Sequence, residues 1–567
     1  MKRLFCFVVR PKFQKRSALK FVSRTIPQSG GYNTPQFVLG LIPVILSIIT
    51  IFFTFSVYAA NEQQPDISRF DIKSFRVEGN TKLDKAAIDS TLAQFTGEKK
   101  DFRTIREAME ALEIMYHYRG YTTVQVTLPE QELKNGIVRL VIIEARITSV
   151  KVEGNKFFDE KNIRRSIPAL NEGELPDINE ISASLKVANE HPAKKINLQL
   201  KPGENEREIN AYLKVIDEKA WKVSLMGDNT GNDATGVYRA GVLLQYNNLF
   251  NLDHLATLQY ITSPKHVDKV TVLGFGYRMP LYAFGDSIDL YASYSDIDSG
   301  TVYAGTSDIQ VSGRGVSFGA RYNQNLTRIG RYEHKLSYGL DYRKYRNNET
   351  VSGTLNNDAD VTVHPVSLTY AGNFQFTSGQ TGFNMSLIRN IPGGTDGQDE
   401  YFQRVRAGSS TDYLIIRYGA NFSYAFPADI QLHLLIKGQY TNDPLIPGEQ
   451  FGLGGASSVR GFQEREVSDD RGNSGTIELY SPDICKLMNI SKAMFRMLVF
   501  YDVGEVSRVS PLPSEESYTL ISSVGAGARL ELGNNFYLAT DYGYGINVDG
   551  TRAVRHSRWH LMAIFSF

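Results

Sequence analysis

The chain has 567 residues, enough for several domains or for one large barrel with appendages. It carries 31 Tyr, 31 Phe and 48 Gly at a mean hydropathy of −0.26. Beyond the N-terminus no apolar run approaches the ~20 residues that a spanning helix needs, which excludes a bundle of membrane helices and suits a chain of many β-strands. With 62 Lys/Arg against 61 Asp/Glu there is no basic excess of the kind a nucleic-acid partner would require.

The first 60 residues hold eight Lys/Arg (Lys2, Arg3, Arg10, Lys12, Lys15, Arg16, Lys20, Arg24) and no Asp or Glu. They end in the uncharged stretch "FVLGLIPVILSIITIFFTFSVYAA" at 37–60, closed by small residues. A basic segment, an apolar core and a small-x-small exit predict a secretory signal with an extended basic region over 1–60. The alternative is an uncleaved anchor, since the stretch is long enough to span. Removing it leaves 54 Lys/Arg against 61 Asp/Glu, a net charge of −7. Of the two cysteines only Cys485 remains, so the exported chain has no internal disulfide and needs a large core or a closed ladder to hold it.

A repeat follows. "FRVEGNTKLD" at 75–84 returns as "VKVEGNKFFD" at 150–159, an offset of 75 residues. Each copy reads as a short alternating strand, a Gly-Asn turn and then a helical pattern. In the first copy Ile105, Ala108, Met109, Leu112 and Tyr116 share one helical face, and Gly120 stands where a helix stop belongs. The alternating runs "TTVQVTL" and "IVRLVIIEARI" come next, giving the order strand, helix, helix, strand, strand. Each copy resembles a POTRA domain, the small α+β periplasmic module of outer-membrane transporters. The first is placed at 70–146 and the second at 147–217, where "HPAKKINLQLKPG" is similar to the second POTRA of two-partner secretion transporters.

From about residue 218 the texture changes to period-two alternation broken by polar turns. Val524, Ala526, Ala528, Leu530 and Leu532 alternate with Ser523, Gly525, Gly527, Arg529 and Glu531. Trp559, Leu561, Ala563, Phe565 and Phe567 share a face of the last segment. One face is apolar and the other small, polar or charged. That is the pattern of a membrane barrel with a lipid-facing exterior and a polar lumen. Roughly 16 such segments fit residues 218–567 at ordinary barrel spacing. Short turns ("PAD", 427–429; "GNN", 533–535) alternate with long loops (393–411, 443–473). The predicted fold is mainly β: a 16-stranded antiparallel outer-membrane barrel preceded by two periplasmic α+β domains. The terminal Phe567 resembles the last aromatic of outer-membrane assembly signals.

The loop at 443–473 carries "FGLGGASSVRGF" and then the acidic run "QEREVSDDRGNSG". A phosphate cradle would need Gly-Lys-Ser/Thr and a following helix, and neither is present. Val459, Arg460, Gly461 and Phe462 resemble the loop-six signature of the POTRA-plus-barrel superfamily. Phe500, Asp502 and Gly504, within "FYDVG", are similar to its barrel-wall partner motif F-x-D-x-G. The resemblance implies that the loop folds into the lumen and that Arg460 reaches Asp502. An unpaired guanidinium in a loop-filled lumen would be costly, so a bidentate carboxylate partner is expected. Gly504 leaves room for close approach, and the loop glycines Gly452, Gly454, Gly455 and Gly461 allow its turns.

Two POTRA-like units before a 16-strand barrel resemble the two-partner secretion transporter (TpsB, haemolysin-activator type). The resemblance implies an outer-membrane location, POTRA domains in the periplasm and export of a large exoprotein of adhesin or haemolysin type, driven by its folding outside. It also implies contact with outer-membrane lipid, and help from the barrel assembly machinery and periplasmic chaperones during biogenesis. An unfolded client needs a sequence-tolerant grip, which an exposed strand edge supplies through main-chain hydrogen bonds. The candidate edges are 122–128 (Thr122, Val124, Val126, Leu128) and 196–200 (Ile196, Leu198, Leu200), with an apolar groove beside the second helix of the first domain. Only residues 61–69 separate the signal from the first domain, too few for a pore-spanning helix, so closure of the lumen is expected to rest on the 443–473 loop. The rival readings are an assembly insertase, which usually carries three or more POTRA units, and a passive porin-like channel. An enzyme is disfavoured: there is no G-x-S-x-G, no H-E-x-x-H and no Cys/His cluster, and neither a metal nor a cofactor is expected.

Overall fold

The computed structural model describes residues 69–567 apart from 234, 297–298, 305–306, 313 and 347–359. The expected signal over 1–60 lies outside the described residues.

The first α+β domain is a three-stranded sheet in the spatial order Ser74–Glu78, Ile137–Glu144, Val124–Thr127, covered by α1 (Lys85–Ala93) and α2 (Phe102–Tyr118). The α2 stripe Ile105, Ala108, Leu112, Tyr116 is buried against Val138, Leu140 and Ile142 of the central strand. Asp101 caps α2 by accepting from the Thr104 N–H at 3.0 Å. A further pair, Phe70–Ile72 with Gly97–Lys100, has no counterpart in the sequence reading, because "GEKK" shows no apolar alternation.

The second domain repeats the plan with strands Arg146–Glu153, Glu208–Asp217 and Lys194–Pro202, in that spatial order, and helices α3 (Glu160–Arg165) and α4 (Ile178–Asn189). The repeated Val-Glu-Gly-Asn now has a physical reason. A Cβ on Gly79 would lie 2.4 Å from the Ile142 carbonyl oxygen, and one on Gly154 would lie 2.6 Å from that of Val215. Both glycines also sit at positive φ (88° and 87°), so at each equivalent turn only glycine fits.

The rest is a closed antiparallel barrel of 16 wall strands: β1 (Trp221–Asp228), β2 (Arg239–Leu249), β3 (His254–Thr262), β4 (Thr271–Leu281), β5 (Asp286–Ser295), β6 (Arg314–Asn325), β7 (Tyr332–Arg346), β8 (Val361–Val363 continuing as Pro365–Phe376), β9 (Gly379–Asn390), β10 (Leu414–Ala425), β11 (Gln431–Thr441), β12 (Arg471–Tyr480), β13 (Ala493–Ser507), β14 (Tyr518–Leu532), β15 (Phe536–Asp549) and β16 (Ser557–Ser566). β8 is interrupted where Pro365, which has no N–H to give, enters the ladder. β16 pairs with β1 from Met562↔Asp228 to Ser566↔Ser224, which closes the sheet. Alternation separates the faces. Met497, Val499 and Tyr501 of β13 are exposed, whereas Leu498, Phe500 and Asp502 are buried on the lumen side.

The turns after even-numbered strands lie at the end that carries the α+β domains and include 427–429 and 533–535. The longest connections, such as 391–413 and 442–470, follow odd-numbered strands, while 481–492, which holds the short helix Ile484–Leu487, is the longest after an even-numbered one. The predicted loop 443–473 is shorter than expected: the connection runs over 442–470, and Arg471, Gly472 and Asn473 already belong to β12.

The second α+β domain is joined to the β2–β3 turn by a buried polar knot. The Lys194 ammonium donates to Asp253, to the Asn162 side-chain oxygen (2.8 Å) and to Ser166 Oγ (2.9 Å). Asp253 also accepts from the Tyr282 hydroxyl at 2.7 Å and the Asn162 amide at 2.8 Å. Burial pushes the Lys194 ammonium down and would push the Asp253 carboxyl up, but the adjacent Lys194 charge holds Asp253 below the usual carboxylate range.

Candidate functional site: a loop pinned inside the barrel

The 442–470 loop folds inward as a small hairpin, with Phe451–Leu453 paired to Val467–Asp469. Its tip is held together locally. Ser458 Oγ accepts from the Gly454 N–H at 2.9 Å, and Glu464 accepts from the Ala456 N–H at 2.7 Å. Leu453, Val459, Phe462 and Val467 are buried together with Val506, Ile521 and Ala553 of the β13–β16 side. The apolar members of the tip therefore fill a niche in the lumen wall and fix the depth of the loop.

That depth brings Arg460 and Asp502 together. The Arg460 guanidinium donates to both Asp502 oxygens at 2.8 Å, from Nε to Oδ2 and from Nη2 to Oδ1. The Arg460 main-chain N–H also donates to Asp502 Oδ2, at 3.1 Å. Arg460 Nη1 donates to Glu478 of β12 at 2.7 Å and lies 3.5 Å from Asp541 of β15. The guanidinium carbon sits 3.4 Å from the centre of the Phe500 ring. Arg460 is 3% exposed and Asp502 0%, so this pair is desolvated. A planar fork answers two carboxylate oxygens and a ring face at once, which an ammonium would not do.

The neighbouring residues have matching roles. Gly461 stands at φ 92°, and its N–H donates to His560 Nε2 of β16 at 3.0 Å. Opposite it, a Cβ on Gly543 of β15 would lie 2.5 Å from the Gly461 nitrogen and 2.6 Å from the Arg460 carbonyl carbon. The backbones of loop and wall therefore touch where both residues are glycine. Gly504 gives the same clearance to the Leu453 side chain, at 2.7 Å.

The sequence motifs named two of the charges at the tip. Glu478, Asp541 and His560 were missed, as isolated polar residues on lumen-facing positions of ordinary strands. Asp469 and Asp470 were read only as part of an acidic run and Glu449 was not singled out, yet together they make a second ionic site at the base of the loop. Glu449 accepts from Arg343 of β7 at 2.8 and 3.1 Å and from the Tyr345 hydroxyl at 2.7 Å, with Arg417 of β10 at 3.5 Å. Asp470 pairs with Arg406, and Asp469 pairs with Arg508 and Arg552. All three carboxylates are 0% exposed.

The expected edge strands lie at sheet edges, Val124–Thr127 in the first domain and Lys194–Pro202 in the second. Thr122 and Leu128 fall outside the shorter strand. The side chains of Val124, Val126 and Ile196 point into the domain cores and Leu198 and Leu200 pack partly against one. In the first strand the Val124 N–H donates to the Tyr121 carbonyl at 3.3 Å and the Val126 N–H to Glu113 at 2.8 Å.

The family model described as haemolysin secretion/activation protein ShlB/FhaC/HecB matches residues 209–530. The model of the ShlB-type POTRA domain matches residues 70–145. The outer membrane transporter CdiB of Escherichia coli is 24% identical over 420 residues, 71% of this chain and 67% of that protein. The heme/hemopexin transporter protein HuxB of Haemophilus influenzae is 19% identical over 509 residues, 87% of each chain. The solved structure of CdiB from Escherichia coli superposes with a TM-score of 0.73 at 20% identity, over 91% of this chain and 93% of that one.

Proposed function

Because the chain belongs to the haemolysin secretion/activation protein family, it is an outer-membrane transporter of the two-partner secretion type with its POTRA domains in the periplasm, and we propose that it takes one large exoprotein through its own lumen with Arg460 and Asp502 holding the plug. The observation that carries this reading is the buried fork between Arg460 and Asp502. It fixes a loop inside the closed barrel, which supports a resting pore occupied by a removable element.

In this reading the client is an unfolded adhesin or haemolysin, caught by main-chain pairing at the POTRA edges and handed to the lumen beneath them. Outer-membrane lipid contacts the exposed apolar face, and the barrel assembly machinery and periplasmic chaperones act during biogenesis. No cofactor is needed, since folding of the client outside supplies the direction.

The test is deletion of the gene in its own cell, followed by complementation. Loss of a single exoprotein from the medium, with the other outer-membrane barrels at normal levels, supports the proposal. General loss of barrels would show an insertase instead. A large steady conductance with no client phenotype would show a passive channel.

A further inference from the structure

The two POTRA edge strands are not bare. In the second domain the Asn189 side chain, from the last residue of α4, accepts from the Ile196 N–H at 2.7 Å and donates to the Ile196 carbonyl at 2.9 Å. These are the two bonds that the peptide groups of an incoming strand would make with that residue. In the first domain Glu113 of α2 accepts from the Val126 N–H at 2.8 Å. In both repeats a side chain from the second helix occupies a rung of the edge strand.

The register shows which rungs remain. Ile196 lies opposite Val215, and Leu198 opposite Leu213. In an antiparallel pair the bonded and non-bonded positions alternate. The Glu218 N–H donates to the Ala193 carbonyl, so odd-numbered residues bond to the central strand and even-numbered ones face the open edge. Among the described residues the main-chain groups of Leu198 and Leu200 make no hydrogen bond outside the sheet. The open edge thus begins one rung beyond Asn189.

Its flank is basic near Tyr212. Lys151 and Lys201 are exposed on the solvent face of this sheet, with Lys201 Nζ 4.7 Å and Lys151 Nζ 5.8 Å from the Tyr212 ring centre. Further along, Lys214 lies beside Glu153, and the Lys195 ammonium donates to the Asn189 and His191 carbonyls. A strand added along Leu198 and Leu200 would place its solvent-face side chains beside Lys201 and Gln199.

We propose that Asn189 caps the first rung of the second POTRA edge, so that an extended client segment is received only at Leu198 and Leu200, and that this segment carries carboxylates on its solvent face. The inference rests on the reading that POTRA edges receive the client by strand addition. The amide does two things. It closes the part of the edge nearest the barrel joint to stray pairing, as protected edges require. It also sets the register, because an added strand longer than the open rungs must displace two hydrogen bonds.

The test uses the full chain in lipid nanodiscs and two fluorescent ten-residue peptides that alternate Val with Glu or Val with Lys, with affinity read by anisotropy. The Glu peptide binds in preference, and Lys201→Glu reverses the order. Asn189→Ala frees a two-bond rung and tightens the Glu peptide about tenfold. Leu198→Pro removes an outward N–H without breaking the ladder and abolishes binding. Thermal melting of each variant separates a changed edge from a lost fold. If Leu198→Pro binds as the parent does, strand addition at this edge is wrong. If Leu198→Pro abolishes binding but Asn189→Ala shifts affinity less than twofold, the cap is refuted and the edge reading stands. A preference for the Lys peptide refutes the assigned client chemistry.

Discussion

Replacing Arg460 by alanine and Asp502 by alanine should not have equal effects, and the structure sets the order. Arg460→Ala leaves the 0%-exposed Asp502 without its guanidinium and takes from Glu478 its 2.7 Å donor. Removing one side of such a buried pair typically destabilises by ~3–5 kcal/mol. Asp541 is spared, because Arg529 still donates to it at 2.7 and 2.9 Å. Asp502→Ala leaves Arg460 with Glu478 and, at 3.5 Å, Asp541 as alternative partners. Its loss is therefore nearer the ~1.5–3 kcal/mol of charged hydrogen bonds. The double variant buries neither charge, so a positive coupling of about 1–3 kcal/mol should separate it from the sum of the singles. The measurement is the equilibrium between seated and displaced loop, read from a spin-label distance between residue 457 and the lumen face of β7, together with secretion of the exoprotein. A loss of 3 kcal/mol moves that equilibrium by roughly a hundredfold. Secretion falls in both singles while the barrel still assembles. Additivity within about 0.5 kcal/mol, or unchanged secretion in both singles, would refute the tether.

Gly543→Val should mimic Arg460→Ala with every charge in place, since its side chain would occupy the line of the Arg460–Gly461 backbone; an unmoved tip by the same spin-label distance would contradict the contact. Lys194→Met strands the buried Asp253 and should loosen the joint between the second POTRA domain and the barrel by ~3–5 kcal/mol, with Lys194→Met/Asp253→Leu recovering much of it. Hydrogen exchange over 247–253 reports this. His191 of the same joint is held neutral, its pKa pushed down to about 4 by burial, with its Nε2–H donating to the Asn247 carbonyl at 2.6 Å. A histidine depressed from 6.5 contributes its full stability above pH 6.5 and loses it as pH falls toward 4, up to about 3 kcal/mol. Exchange at 247–253 should rise over that window, where Asp253, Lys194 and Lys195 also face the ring, and His191→Gln should flatten the rise.

The parts of this molecule legible from sequence are those whose physics is local. Period-two alternation in β13 and β14 shows a wall with two faces, and the α2 stripe shows a helix with one. Val459–Phe462 and Phe500–Gly504 could be matched to family signatures because each motif is contiguous, and their pairing followed from that resemblance. Glu478 and His560 were not, since what brings them to Arg460 is ladder register, and a single charge on a lumen-facing position looks the same wherever the register puts it. The start of β12 was misread for a related reason. Arg471, Gly472 and Asn473 alternate between two polar kinds of position, which cannot be told from loop. Lys194 sits in a run that reads as surface lysines, and only docking of the second POTRA domain against the β2–β3 turn makes it internal.

The two ionic sites on the loop bear on how the plug leaves. The tip is held by one guanidinium, against Asp502, Glu478 and Asp541. The base is held through three fully buried carboxylates by Arg343, Arg417, Arg406, Arg508 and Arg552, which belong to β7, β10 and the β9–β10, β13–β14 and β15–β16 connections. Asp470 additionally accepts from the Leu445 and Val509 N–H groups at 2.8 and 2.7 Å. Detaching the base strands several buried charges at once, while detaching the tip strands fewer, so under a common pull the tip releases first and the base acts as the pivot. In Arg460→Ala, hydrogen exchange should accelerate over 454–466 and stay slow over 442–450 and 467–470. In Asp470→Ala it should accelerate across the whole loop and in 406–413, because Arg406 loses its anchor. Exchange that spreads to the base in Arg460→Ala would mean that the loop moves as one body, and the pivot would have to lie in the wall strands β11 and β12 instead.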